Sequence, residues 1–269
     1  MHDTETSSFG LEQPLTVKVQ DGVAFLTLRR PGARNALSKG LVAAGQAALS
    51  TLSADESVRC LVVTGGGDKA FCAGADLKER LAMSLAETRL FLDALGAFFN
   101  TLAAFRAPTI AAINGAAFGG GLELALCCDI RLAAADALMG FPEVKLGIIP
   151  GAGGTQRLTR ACGVAVAKGL ILTGRRVDAA EALRLGILSA VLTGADLLTE
   201  AGKWAADIAQ AGPMALAQAK TAIDQGQGQS LSQGLAIERA CYEVVLASAD
   251  REEGLRAFAE KRAAKYQGR

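Results

Sequence analysis

Two glutamates, Glu123 and Glu143, are the residues of this 269-residue chain whose types and surroundings best suit proton transfer. Glu123 follows three glycines, Gly119-Gly120-Gly121, and sits among apolar neighbours, Leu122, Leu124, Ala125 and Leu126. Glycines feeding a helix leave backbone N–H groups without intrahelical partners, beside the positive end of the peptide dipoles. Such groups hold an anion, or an oxygen that becomes one during a reaction, and glycine lets a ligand approach the backbone closely. A carboxylate in apolar surroundings is costly unless it is paired or used, and desolvation raises its pKa toward neutrality. Glu143 follows Phe141-Pro142 and leads into another turn, Ile149-Pro150-Gly151-Ala152-Gly153-Gly154. Two acids beside an oxygen-binding backbone suit acid–base chemistry on a carbonyl compound. Each has a plainer alternative. Glu123 would be a solvent-facing helix residue, and Glu143 would pair with Lys145 or face water. Taken alone, Glu123 leans toward function and Glu143 toward the plainer reading.

What the chain lacks narrows the chemistry. Its only histidine is His2, near the start. Ser-His-Asp and Cys-His catalysis, histidine bases and imidazole zinc sites are therefore set aside. Carboxylates, lysines, thiols and two tyrosines, Tyr242 and Tyr266, remain. Cys60, Cys72, Cys127, Cys128, Cys162 and Cys241 form no C-x-x-C pair, which reads as reduced thiols in a reducing, cytoplasmic compartment and as no metal site. Cys72 reads as a small packed thiol. A net charge of +1 offers no field for nucleic acid or an acidic membrane surface. No apolar run approaches a membrane span. Residues 1–13 are polar, resemble neither a secretion signal nor a transit peptide, and read as a disordered tail. Residues 65–70 fit a loose G-x-G-x-x-A pattern, but 71–74 do not continue as the helix a pyrophosphate turn requires.

The elements that must position the two acids follow from periodicity. Strands are expected at 15–19 and 23–28, joined by the hairpin signal Asp21-Gly22. Ser38 caps a helix to about residue 52. A buried strand over 58–64 is followed by a loop at 71–74 and an interrupted helical stretch over 77–104. The strand 109–113 leads to the glycines, a helix, and a strand at 130–133. Alternating strands and helices argue an α/β fold to about residue 195. From there the pattern is helical, over 197–211, 214–224, 231–247 and 251–265. The organisation read is a tail (1–13), a catalytic core (14–195) and a helical C-terminal region (196–269).

A second glycine-bearing loop follows a strand at Ala73-Gly74-Ala75-Asp76-Leu77. Its functional reading sets the Ala75 N–H opposite the Gly120 N–H, two donors for one carbonyl oxygen. Its plainer reading is an ordinary loop with Asp76 capping a helix, and spacing alone leaves the two at even odds.

Together these segments resemble the crotonase, or enoyl-CoA hydratase/isomerase, superfamily. The resemblance also covers Arg30-Pro31, Asn35-Ala36-Leu37, Asn114-Gly115, Cys128-Asp129-Ile130-Arg131, the stretch from Gly147 through Leu158, Leu172-Thr173-Gly174 and Glu260-Lys261-Arg262. It implies a crotonase-like spiral of ββα units with a helical C-terminal region, assembled as a homotrimer or homohexamer. It implies an acyl-CoA substrate and no cofactor, since coenzyme A is part of the substrate. Ala75 and Gly120 match the oxyanion-hole donors, and Glu123 and Glu143 match the two glutamates of the hydratases. Ala73, Asp76, Leu77 and Gly151 match substrate-binding positions, and Lys261 matches a lysine that reaches the nucleotide phosphate of a neighbouring subunit. Retention of both glutamates favours hydration of a short 2-enoyl-CoA, with Δ3-to-Δ2 isomerisation as the alternative. Within the superfamily the chain resembles the methylglutaconyl-CoA hydratases, for which Lys78 and Arg80 are candidate partners of a second substrate carboxylate. One relative there binds RNA through a lysine-rich helix. The matching stretch here, 46–59, has one Arg, no Lys and two acids, which argues against RNA. Phe91, Leu92, Leu95, Phe98 and Phe99 either line an acyl pocket or form core.

Overall fold

The computed structural model describes residues 13–269, so the expected tail lies almost wholly outside the described residues. The chain spirals between two sheets. Strands β1 (Leu15–Gln20), β2 (Val23–Leu28), β3 (Cys60–Gly65), β5 (Thr109–Ile113), β7 (Ile130–Ala134) and β10 (Ala190–Leu192) form a six-stranded sheet in the order β1-β2-β3-β5-β7-β10. Only the β1–β2 hairpin is antiparallel. Its turn uses Asp21 (φ 50°) and Gly22 (φ 79°), the left-handed pair that a two-residue hairpin requires.

A second sheet is built of three-residue strands, β4 (Ala70–Cys72), β6 (Ala116–Phe118), β8 (Leu138–Gly140) and β9 (Arg176–Asp178), in that order. Three large-sheet strands hand over to a small-sheet neighbour, β3 to β4, β5 to β6 and β7 to β8, before a helical segment returns the chain. That repeat is the ββα spiral of the crotonase fold. The short strands correct two expectations. The segment 71–74 is partly strand β4 rather than loop, and β6 stands between the 109–113 strand and the glycines. Three residues are too few to show a period of two.

The strands β4, β6 and β8 run parallel, with Cys72 beside Ala117 and Phe118 beside Gly140. Neighbouring strands lie about 5 Å apart, so the loops at their C-terminal ends emerge side by side. Those loops carry Ala75, Gly120 and Glu143.

Ser38 Oγ accepts the Leu41 N–H at 3.1 Å and starts α1 (Lys39–Ala54). The stretch 77–104 divides into α2 (Leu77–Ala82) and α3 (Leu85–Ala103). The division falls at Ser84, whose capping box with Glu87 opens α3. Phe91, Leu95, Phe98 and Phe99 belong to the main core, so the aromatic stripe of α3 is core packing, with α1 as its neighbour. Phe98 lies so close to α1 that a Cβ on Gly45 would come within 2.6 Å of its ring. Beyond α4 (Gly120–Ala125), α5 (Gly154–Thr173) and α6 (Ala179–Arg184) follow four C-terminal helices. Of these, α7 (Leu197–Ala209) covers the outer face of the large sheet with Leu197, Ala201 and Ala205. The helices α8 (Pro213–Gly226) and α9 (Leu231–Leu246) form a hairpin, followed by α10 (Ala249–Glu260). The last helix stops short of the expected residue 265 because Lys261 turns left-handed (φ 53°) and the Arg262 guanidinium folds back onto Glu253 and Glu260.

Asn35 fastens the loops behind the site. It is fully buried and left-handed (φ 56°). Its Oδ1 accepts the Arg30 N–H at 3.0 Å, and its Nδ2 donates to Gly66 O at 3.0 Å and Ala70 O at 2.8 Å. Asn35→Ala strands one backbone N–H and removes a donor from two carbonyls in a water-poor space, and gives up a residue that tolerates this φ. We expect a stability loss of roughly 3 kcal/mol in urea unfolding. A loss under about 1 kcal/mol would show that the loops hold their shape without it.

Candidate active site

The first donor loop is held by the backbone. Leu37 N–H donates to Gly74 O at 2.8 Å and accepts the Asp76 N–H through its own carbonyl at 3.0 Å, while Ala73 N–H donates to Arg34 O at 3.0 Å. Successive groups of an extended chain point to opposite sides, so these bonds turn the Ala75 N–H away from Leu37. Gly74 adopts φ 97°, and a Cβ there would lie 2.8 Å from Phe118 O and 3.4 Å from Gly120 N. A Cβ on Gly120 would in turn lie 3.6 Å from Ala75 N. The two loops therefore meet backbone to backbone, which glycine at 74 permits, while at 120 an added Cβ would press on Leu37 Cδ1 at 2.9 Å. Neither the Ala75 nor the Gly120 N–H donates to a partner among the described residues. Gly120 is the first residue of α4, where an N–H has no intrahelical acceptor. Because α4 spans six residues, these individual N–H groups matter more than a helix dipole.

Glu123 lies on α4 and is 2% exposed, which sets aside the surface reading. Its Oε1 accepts the Ala152 N–H at 2.8 Å and the Gly154 N–H at 2.7 Å. Burial raises its pKa, while the Gly154 and Ala152 N–H groups and the Arg157 charge oppose the rise. Gly154 can present its N–H here because it has no side chain. A Cβ would sit 2.7 Å from the buried Phe141 ring. Gly121 brings α4 onto β4 in the same way, since its Cβ would overlap the Cys72 carbonyl.

Glu143 opens a 3₁₀ turn, Glu143–Leu146, after β8. It is 9% exposed, and its Oε2 is the buried side-chain oxygen left without a hydrogen-bond partner among the described residues. Its plainer reading, a pair with Lys145 or contact with solvent, is thereby corrected. Burial pushes its carboxyl up to about 7, opposed by its own backbone N–H and reinforced by the nearby Glu123 charge. Gly119 makes room for it. At φ 52° its Cα faces the carboxylate, and an added Cβ would lie 2.8 Å from Oε1. Thus the structure brings Ala75, Gly120, Glu123 and Glu143 to one place, with one carboxylate well solvated by N–H groups and one poorly so.

The other candidates divide. Asp76 caps α2, accepting from Lys78 N–H and Glu79 N–H, and pairs with Arg30 at 2.9 Å, so its carboxylate is committed to holding the loop. Ala73 is half-buried and Leu77 exposed on the same loop. A Cβ on Gly151 would come within 3.0 Å of Leu92 Cδ2, so α3 approaches this turn. Lys78 is exposed, whereas the Arg80 guanidinium lies 5.6 Å from the centre of the Phe91 ring. Lys261 is exposed at the end of α10, and no hydrogen bond or ion pair among the described residues ties it to the glutamates. Cys72 is buried and its thiol is pushed up to about 12, as suits a packed, unreactive group. All six cysteines are free. The described residues contain no group of three His, Cys, Asp or Glu suited to a metal, and no helix long and apolar enough to cross a membrane. Sequence reasoning missed the partners of Glu123. The 150–154 turn was legible as a turn, but nothing local marked its N–H groups as the carboxylate's donors.

Comparison with known proteins gives the family. The enoyl-CoA hydratase/isomerase family profile matches residues 18–269. The chain is 47% identical to a putative enoyl-CoA hydratase/isomerase of Bacillus subtilis, over 94% of this chain and 97% of the relative. It is also 47% identical to human mitochondrial methylglutaconyl-CoA hydratase, over 92% of this chain and 74% of that protein. The crystal structure of a Bacillus anthracis enoyl-CoA hydratase superposes with a TM-score of 0.94 at 43% identity, covering 96% of this chain and all of the other. Sequence and fold agree over nearly the whole length, and the chain belongs to the enoyl-CoA hydratase/isomerase family.

Proposed function

We propose that the protein adds water across the 2,3 double bond of a short 2-enoyl-CoA. The observation that carries this reading is the pair of buried glutamates beside two uncommitted backbone N–H groups. The thioester oxygen accepts from the Ala75 and Gly120 N–H groups. As water adds, negative charge grows on that oxygen, and donors already in place stabilise it without reorganising, each worth about 3–4 kcal/mol. Glu123, its Oε1 held by two backbone N–H donors, takes a proton from the water. Glu143, unpartnered and holding a proton near neutrality, delivers one to the α-carbon. The reverse reaction uses the same groups. Such chemistry asks for no metal or redox cofactor, since coenzyme A arrives as part of the substrate. The six free cysteines suit a cytoplasmic, reducing setting.

Identity to the human methylglutaconyl-CoA hydratase supports a branched, carboxylated acyl group as the preferred substrate. Lys78 is the freer of the two candidate cations for its second carboxylate, because Arg80 rests on Phe91. A homotrimer or homohexamer fits the apolar faces left on the C-terminal helices, where Leu231 is 79% and Phe258 88% exposed. In that assembly Lys261 would reach the nucleotide phosphate of a neighbouring subunit's substrate.

Three outcomes test this reading. Loss of absorbance of the conjugated thioester should be faster with 3-methylglutaconyl-CoA than with crotonyl-CoA. The opposite ranking marks a general short-chain hydratase, and turnover of neither, with shift of a Δ3 double bond instead, marks an isomerase. Glu123→Gln and Glu143→Gln should each lower hydration by roughly 10²–10⁴-fold while staying folded, and near-native rates in either would end the two-glutamate mechanism. Glu143 carries a pH signature as well. Its ordinary value is 4.5 and its folded value about 7, so the folded protein keeps a proton that the unfolded chain releases in that window. Stability therefore falls as pH rises from about 4.5 to about 7. Glu143→Gln should escape this fall and melt higher than wild type at pH 8, by up to roughly 3 kcal/mol. Hydration by the wild type should also decline above about pH 7 as Glu143 loses its proton. Equal melting points at pH 8 would show that the buried carboxyl is not strained by ionising.

A further inference from the structure

We propose that Arg157 is a positioning residue that locks the 152–154 turn in the shape presenting both N–H donors to Glu123, with Asn100 of α3 steadying its guanidinium. This rests on Glu123 acting as the base of the hydration proposed above. The two donors, Ala152 N–H and Gly154 N–H, lie on either side of one peptide unit, whose oxygen is Ala152 O. If that unit rotated, the donors would no longer converge on Oε1. Arg157 Nη1 donates to this oxygen at 2.8 Å, and Nη2 donates to Asn100 Oδ1 at 2.8 Å. The arginine also closes the turn through its backbone, its N–H donating to Gly153 O at 2.8 Å.

Gly153 completes the lock. At φ 102° it takes a conformation that other residues rarely adopt, and a Cβ there would lie 2.0 Å from Arg157 Nη1. The guanidinium occupies the space that a side chain at 153 would need. Arg157 thereby reaches Glu123 in two ways without touching the substrate. It fixes the donors by geometry, and its positive charge favours the ionised carboxylate against the cost of burial. Lysine at this position keeps the charge but gives up the planar fork that spans Ala152 and Asn100.

Steady-state hydration over a pH series, with Arg157→Gln and Arg157→Lys, tests the proposal. In Arg157→Gln we expect kcat to fall roughly 10–100-fold with KM within about two-fold of wild type. The acidic limb of kcat, where the base must be ionised, should move to higher pH. Arg157→Lys should leave that limb near its wild-type position while kcat stays reduced. An unmoved limb in Arg157→Gln, or a KM that rises as far as kcat falls, overturns the positioning role. The carboxyl of Glu123 can also be titrated in the protein alone, by its infrared C=O band assigned against Glu123→Gln. Arg157→Gln should raise that midpoint, and an unchanged midpoint counts against the proposal. If the wild type hydrates no enoyl-CoA, the hydratase reading fails, while the infrared titration still decides what Arg157 does for Glu123.

Discussion

A carboxylate withdrawn from water must receive hydrogen bonds from somewhere, and Glu123 receives its own from the backbone of a turn on another winding of the spiral. Much of the local architecture serves that requirement. Gly154 must lack a side chain to lie on Phe141, and Gly121 must lack one for α4 to rest on β4. Gly153 must turn left-handed so that Arg157 can reach back over it. Each glycine answers to a named neighbour, the Phe141 ring, the Cys72 carbonyl or the Arg157 guanidinium.

Glu143 meets the opposite condition. Among the described residues none partners its Oε2, and the charge of Glu123 discourages its ionisation. The contrast between the two acids comes from their surroundings, since their side chains are identical. Burial raises both carboxyls, but at Glu123 two backbone N–H groups and the Arg157 charge oppose the rise, whereas the nearby Glu123 charge adds to it at Glu143. Under the proposed reading, that difference assigns base and acid, where residue type alone leaves them interchangeable.

Much of this was legible in the sequence, and the gaps have physical causes. The hairpin, the Ser38 cap and the buried strands carry strong local signals, and all appear in the structure. The small sheet was hidden because three-residue strands show no period. Glu143 taken alone read as a surface acid, for Lys145 two residues on offers an obvious partner. What buries it is the close approach of Gly119, a contact between distant segments. The apolar neighbours of Glu123 did point to burial, yet its donors lie 29 and 31 residues further along. The aromatic stripe of α3 took the plainer of its two readings because helical periodicity reports burial and says nothing of what is buried against it.

The donors at Ala75 and Gly120 are main-chain groups, and this separates two kinds of inheritance. A point mutation can replace either glutamate, but none except a change to proline can delete a backbone N–H. A lineage on this scaffold can therefore lose or exchange its acids while keeping the apparatus that would grip a thioester oxygen. New reactions would then arise by redecorating a retained anchor, so divergence in chemistry need not begin with divergence in binding.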